Sequence, residues 1–361
     1  MATSDVLNFT ANGSNLNDTG EIRIIIKQQY LFALPSEAFL LFKGRLLKAD
    51  GTAYANADAV SLTSNVFYPG QATTMLGMLK YPNDFQLVQG LNQLWTKDSG
   101  ATAKPDAKGT FLFCVPIRYI FGFCDDYNKV IYRFEHTLTL VRKSDNDAVF
   151  RNAAAAAGKV NFDKISLFMP HVRRALMEKK NLLDAIASKL FHKLLILLDF
   201  TRLSVKTSSE KARYIIVGFQ TKSGNQETNP SIFDHCDLKN MQIYLNEENV
   251  YSAVPYNLSF RNQHFSRAYR EATTYSEKFY GLNEMITKSN IAPSDYKDLY
   301  PLMVFDVSKQ SGRYKLTVID VQIRATFNQI VPAGTQVYAV VISVVISNVT
   351  ISSRHRMNIV Y

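Results

Sequence analysis

The sequence predicts an all-β chain built as two antiparallel β-sandwiches in tandem. Three observations predict it. First, the stretches Arg213-Tyr-Ile-Ile-Val-Gly-Phe-Gln220 and Pro301-Leu-Met-Val-Phe-Asp-Val-Ser-Lys-Gln310 each head a run of strand-like segments. Second, 361 residues is too long for one ordinary domain and comfortable for two, each able to bury most of its apolar surface. Third, ten or more strand-like segments follow one another without regular strand-helix alternation, which argues against a parallel α/β sheet. The 19 Tyr and 23 Phe against one Trp suit pleated, half-buried strands.

Residues 1–20 are rich in Asn, Ser, Thr, Gly and Asp and carry few apolar anchors, so they read as a flexible N-terminal arm. Strands then follow at Ile22 to Tyr30, Ala38 to Lys48 and Val60 to Phe67, with Gly51 supplying the positive φ that the reversal Lys48-Ala-Asp-Gly-Thr52 needs. Phe85, Leu87, Val88, Leu91 and Leu94 recur at helical spacing and predict a helix over Asp84 to Trp95. Strands resume at Thr110 to Phe123, Lys129 to Arg142 and Val160 to Met169, separated by reversals at Asp125-Asp126 and Asp145-Asn146-Asp147. Ala153 to Ala157 is a short turn or spacer.

The period changes over 172–190, where Leu176, Leu183, Ile186 and Leu190 form one apolar stripe opposite Glu178, Lys179, Lys180 and Lys189. This predicts a connecting helix between a first unit, 21–171, and a second, 191–361. The second opens with a β-rich run, His192 to Lys206, followed by the strand Arg213 to Thr221 and a solvent loop, Lys222 to Asn229. Met241 to Leu245 and Val250 to Ala253 flank Asn246-Glu-Glu-Asn249 as a hairpin. Phe265, Tyr269, Ala272, Tyr275 and Phe279 predict a helix within Gln263 to Tyr280. Leu302 to Asp306, Lys315 to Phe327, Gln336 to Ser347 and Arg356 to Tyr361 close the chain, with a turn at Pro332-Ala-Gly334.

Three cysteines, Cys114, Cys124 and Cys236, with no C-x-x-C and no apolar leader, point to reduced thiols and a protein that is not secreted; the sequons at Asn8, Asn12, Asn17, Asn257 and Asn348 then carry no glycan. The net charge of +10 favours an anionic neighbour, although the basic residues are scattered, with only short clusters such as Arg173-Arg174 and Lys179-Lys180.

No phosphate-binding loop, dinucleotide fingerprint, nucleophile elbow or H-E-x-x-H occurs. The six histidines, His136, His171, His192, His235, His264 and His355, stand at no metal-binding spacing, so neither a metal nor any other cofactor is expected. Asp234-His235-Cys236-Asp237 gathers a thiol, an imidazole and two carboxylates, but neighbours along a strand point to opposite faces, and the segment reads as a structural turn. Asp125-Asp126 suits a divalent cation or simply ends a strand. Trp95 with Thr96-Lys97-Asp98 can stack a sugar or base, or anchor a core. No catalytic, cofactor, metal or binding residue is assigned, and the chain is not read as an enzyme.

Several segments resemble double jelly-roll major capsid proteins, closest to those of polinton-like and adintovirus-like elements, including endogenous viral copies in invertebrate genomes. They are Leu47-Lys-Ala-Asp-Gly-Thr52, Ile117 to Phe123 with Asp126-Tyr127, and His136-Thr-Leu-Thr-Leu-Val-Arg142 in the first half. In the second they are Arg213 to Thr221, Phe233-Asp-His-Cys236, Tyr244-Leu-Asn246, Pro301 to Gln310, Val321-Gln-Ile323 and Pro332-Ala-Gly-Thr335 with Tyr338. Tyr251-Ser-Ala-Val-Pro-Tyr256 departs from the family's pattern, and the short length implies trimmed surface loops.

The resemblance implies two tandem eight-stranded jelly rolls and a structural protein, the major capsid protein of an icosahedral dsDNA virus or virus-like element. It implies pseudo-hexameric homotrimeric capsomers, with obligate interfaces of roughly 2,000–5,000 Å². Its partners would be neighbouring capsomers, penton and minor capsid proteins, and genomic DNA or an internal membrane against basic inner-face residues. Its place would be the virion, after synthesis in the host cytoplasm or nucleus. The alternatives are a carbohydrate-binding, lectin-like double β-sandwich, a host-domesticated capsid protein, or a cupin-type enzyme, which the dispersed histidines disfavour.

Overall fold

The computed structural model describes residues 3–10, 16–17, 21–26, 32–55, 58–62, 70–82, 84–85, 89–93, 109–121, 124–125, 128, 131–132, 136–173, 191–201, 205–207, 211–221, 224–245, 249–280, 291–309, 319–351 and 357–360. Every strand pairing among them is antiparallel.

The first half is organised around β4 (Phe39–Lys48) and the 16-residue strand β10 (Gly158–Arg173). One side of β10 pairs with β4 from Gly158 to Phe168 and with β3 (Phe32–Ala33) at its far end, and β4 pairs in turn with β6 (Thr110–Pro116). On the other side β1 (Thr3–Thr10) runs along Ser166 to Arg173. β2 (Glu21–Ile26) pairs with β8 (His136–Val141), β5 (Val60–Leu62) with β9 (Val149–Arg151), and β7 (Ile131–Tyr132) with β3.

Period-two alternation decides which face is buried. In β2, Ile22, Ile24 and Ile26 point inward and Glu21, Arg23 and Ile25 outward; in β4, Leu40, Phe42 and Leu46 point inward and Lys43 and Arg45 outward. Gly44 faces the core where β4 is crowded: a Cβ there would collide with the Asn161 carbonyl oxygen and lie 2.6 Å from the Phe111 ring. The first core gathers these side chains with Phe111, Phe113, Phe162, Ile165 and Leu167.

The second half has two sheets. One runs β11 (Phe191–Thr201), β18 (Gln336–Ile351), β13 (Lys211–Gln220), β16 (Met303–Asp306), with β19 (Met357–Val360) also on β18. The other runs β12 (Val205–Thr207), β17 (Ile319–Phe327), β14 (Leu238–Leu245), β15 (Asn249–Tyr251). Phe219 of the first sheet meets Phe327 of the second edge-on at 5.4 Å, inside a core that holds Tyr275, Tyr296 and Tyr300 fully buried.

Several expectations are corrected. Residues 1–20 are not all a loose arm, since β1 forms an eight-residue ladder with β10. Polar composition misleads here because an edge strand is held by backbone hydrogen bonds, which any side chain permits. Residues 172–173, placed in the connecting helix, continue β10, and 174–190 lie outside the described residues. The strand expected over Thr110 to Phe123 stops at Pro116 and gives way to a 3-10 turn, Ile117–Tyr119. Of the helix expected over Asp84 to Trp95, the described residues show a turn at 84–85 and one helical turn, Gln89–Asn92.

The longer helix in that connection is Gly70–Lys80, which sequence reasoning missed. Eight of its residues are buried, Gln71 and Thr74 among them, so no polar face marks it as amphipathic. The second-half helix divides into Ser266–Thr273 and Tyr275–Tyr280, and a further helix, Pro293–Asp298, went unforeseen.

Candidate functional site

The constellation at residues 234–237 is a buried turn. Asp234 accepts from the Thr221 backbone N–H at 2.7 Å and from the Thr221 hydroxyl, tying the turn to the end of β13. The His235 ring stacks 4.5 Å from Phe260, and its Nδ1 accepts the Asp237 N–H at 2.8 Å. Cys236 and Asp237 both have positive φ, 48° and 51°. Burial, helped by the Asp234 charge, pushes the Cys236 thiol up to about 11, and burial holds His235 below its ordinary value. The thiol is thus held protonated, and the Nδ1 lone pair of the imidazole is taken by the backbone.

Asp125 bonds Lys80 Nζ at 2.6 Å; Asp126 and Trp95 to Asp98 lie outside the described residues. His171 is buried with Nδ1 2.8 Å from the Met169 carbonyl, and His264 closes a backbone turn on Ser259. The side chains of His136, His192 and His355 lie outside the described residues. Among the described residues no three His, Cys, Asp or Glu side chains cluster as metal ligands. All three cysteines are free, and no described helix is long and apolar enough to cross a membrane.

The chemistry that does converge lies between the two cores, along the margin of β10 that β1 leaves uncovered. At Gly158, Gln226 Oε1 accepts the N–H at 2.7 Å and Nε2 donates to the C=O at 2.7 Å. At Val160, Asp145 Oδ1 accepts the N–H at 2.9 Å and Arg142 Nη2 donates to the C=O at 2.6 Å, the two side chains themselves pairing at 2.8 Å. At Phe162, Asn17 Oδ1 accepts the N–H at 2.7 Å and Nδ2 donates to the C=O at 3.3 Å. Three alternate residues of one strand margin thus have both backbone groups satisfied by side chains, where a further strand would otherwise dock.

Gln226 comes from the second half, in the segment 222–229 expected as a solvent loop; Gln226 and Asn229 are instead each only 5% exposed. The Arg151 N–H bonds the Gln226 carbonyl at 2.8 Å, and the Arg151 guanidinium meets Glu227 at 2.9 Å. The helix Gly70–Lys80 completes the junction, sending Ala72, Met75, Met78 and Leu79 into the second core, against β18 and Tyr275–Tyr280. Its Gln71 accepts a hydrogen bond from the buried Lys143, whose pKa burial lowers to about 8. Asn17, Arg142, Asp145 and Gln226 belong to no common motif: the sequence offers a sequon at Asn17, a reversal at Asp145 and a strand end at Arg142, and nothing in it brings the four together.

The outward face of β6, β4 and β10 is different in kind: the register sets Leu112, Lys43 and Lys164 side by side, with Arg45 one step along.

The family described as "Double jelly roll-like domain" matches residues 92–346, from the last part of the first core to the last long strand of the second. The chain belongs to this family. Its two antiparallel units are therefore the two rolls of a double jelly roll, mostly β with a few short helices. Solved structures agree in fold. Faustovirus major capsid protein superposes with a TM-score of 0.57 at 9% identity, covering 96% of this chain and 90% of its own. Mavirus major capsid protein gives 0.52 at 12% identity, with 98% and 89% covered. VP54 of PBCV-1, as fitted into a reconstruction of the virophage Sputnik, gives 0.57 at 12% identity, with 100% and 97% covered. No curated protein matches the double jelly-roll chain in sequence.

Proposed function

We propose that this double jelly-roll chain is a major capsid protein, a structural rather than catalytic building block. The observation that carries the reading is coverage in both directions: the likeness to VP54 takes in 100% of this chain and 97% of that one, so the two-roll unit is matched whole. The welded junction supports it, because a tile that transmits load between neighbours needs its two rolls held in one orientation.

In this reading three copies form a pseudo-hexameric capsomer that tiles an icosahedral shell of a dsDNA virus or virus-like element of the polinton-like, adintovirus-like kind. Penton and minor capsid proteins would meet it at capsomer margins, and a genome or internal membrane would face its basic residues. The two units divide between the end of β10 at Arg173 and the start of β11 at Phe191, and the protein resides in the virion.

Size-exclusion chromatography with light scattering tests the reading. The expected mass is about three times the 40.8 kDa of the chain, with shells or facets visible by negative-stain microscopy. A stable monomer at micromolar concentration that binds a glycan array overturns it in favour of a lectin-like pair of sandwiches.

A further inference from the structure

We infer that the outward face of the β6–β4–β10 sheet binds the phosphate backbone of duplex nucleic acid without reading its sequence. The inference takes up the genome contact of the proposed function and depends on that reading only for the source of the duplex.

Lys43 and Lys164 are register partners on β4 and β10, both exposed, and among the described residues neither has an ion-pair partner. Like charges directly opposite one another destabilise a sheet unless an anion lies between them. Arg45 follows two residues along β4, about 6.8 Å away at strand rise, and Lys159 two further positions along the same face. Against these four cations stand two carboxylates, Asp163, 3.2 Å from Arg45, and Asp50 in the turn beyond β4, whose charge meets that of Lys159, so the uncompensated charge rests on Lys43 and Lys164. Leu112, 65% exposed, pairs with Lys43 on the other side and offers aliphatic contact to sugar.

The aromatic rings on this face, Phe39 and Phe168, are half-buried and stacked on one another at 4.9 Å, which leaves no open ring for an unpaired base and favours backbone contact over single-strand recognition. A second copy of the chain, itself at +10, is a poor electrostatic match. A membrane surface needs a broad exposed apolar face, and here Leu112 alone is exposed, Leu41, Phe39 and Phe168 being half-buried.

The test is fluorescence anisotropy of the full chain with a labelled 20-base-pair duplex of mixed sequence between 50 and 200 mM salt. Three to four phosphate contacts give a slope of log K against log salt of about −3. Lys43→Gln with Lys164→Gln should lower its magnitude by roughly 2 and weaken binding about a hundredfold at 50 mM, narrowing to about tenfold at 200 mM. Lys43→Arg with Lys164→Arg should retain binding. Arg270→Gln with Lys278→Gln removes the same charge from exposed second-half helices and should leave the slope unchanged.

Equal losses in the strip and control pairs overturn the inference, as does salt-independent or absent binding. Loss confined to vesicles of phosphatidylserine and phosphatidylcholine would assign the strip to a membrane and also overturn it. Light-scattering mass of the same variants separates this outcome from failure of the capsomer reading.

Discussion

Gln226 sits on Gly158 as a neighbouring strand would, its amide both accepting from and donating to that residue's backbone at 2.7 Å. One side chain from the second roll thereby completes the sheet of the first. Removing the amide strands a buried N–H and C=O, so Gln226→Ala should cost about 2–3 kcal/mol. Hydrogen exchange checks it locally: the Gly158 amide should lose protection in the variant, whereas that of Ile243, deep in the other core, should not.

Met75 lies on a first-roll connection yet is fully buried in the second core. Met75→Ala should therefore cost about 2–5 kcal/mol through the cavity it leaves. The loss of exchange protection should map to β18 and Tyr275–Tyr280, not to β4 and β10. Protection lost mainly in the first roll would mean the helix is not a shared element.

Gly44 has no room for a methyl group, being wedged between the Asn161 carbonyl and the Phe111 ring across β10 and β6. Gly44→Ala should destabilise the first roll by about 1–3 kcal/mol, read as a lower denaturant midpoint. Gly224→Ala is a contrasting case. Its φ of +80° strains any Cβ but nothing lies within 4 Å, so the cost should be conformational, on the order of 1 kcal/mol.

Lys143 is 2% exposed between the first roll and the Gly70–Lys80 helix, and burial lowers its pKa from 10.5 to about 8. Below pH 8 both folded and unfolded chains hold the proton, and the fold bears the full cost of a buried cation. Between pH 8 and 10.5 the unfolded chain binds more protons than the folded one, so stability rises with pH across that window. Thermal melts from pH 7 to 10 should show the rise, and Lys143→Met should flatten it.

The turn at 234–237 shows how far residue types alone carry an assignment. Asp, His and Cys side by side suggest chemistry, and because the segment is a turn, strand alternation does not keep them apart. The geometry supplies a reason pattern could not: Asp234 is engaged by Thr221 and His235 Nδ1 by the Asp237 N–H.

The helices show the opposite limit. Ser266–Thr273 and Tyr275–Tyr280 were legible because one face is polar, whereas Gly70–Lys80 is covered nearly all round and leaves no stripe. The loop around Gln226 looked like solvent-facing chain for a related reason, since polar residues are buried wherever their hydrogen bonds are met, and those partners are 68 positions away.

By itself the sequence determined the class of the fold: the alternation in β2 and β4 and the β-branched runs of β13 and β18 dictate two buried faces wherever the strands pair. It also determined the excess of positive charge. Only the tertiary structure decided that the N-terminal residues Thr3–Thr10 form a sheet margin, that a first-roll helix belongs to the second core, and that Lys43 stands opposite Lys164. The physical reason is range. Side-chain periodicity is written over a few residues, whereas strand register and the sealing of a strand margin depend on backbone groups brought together from distant parts of the chain.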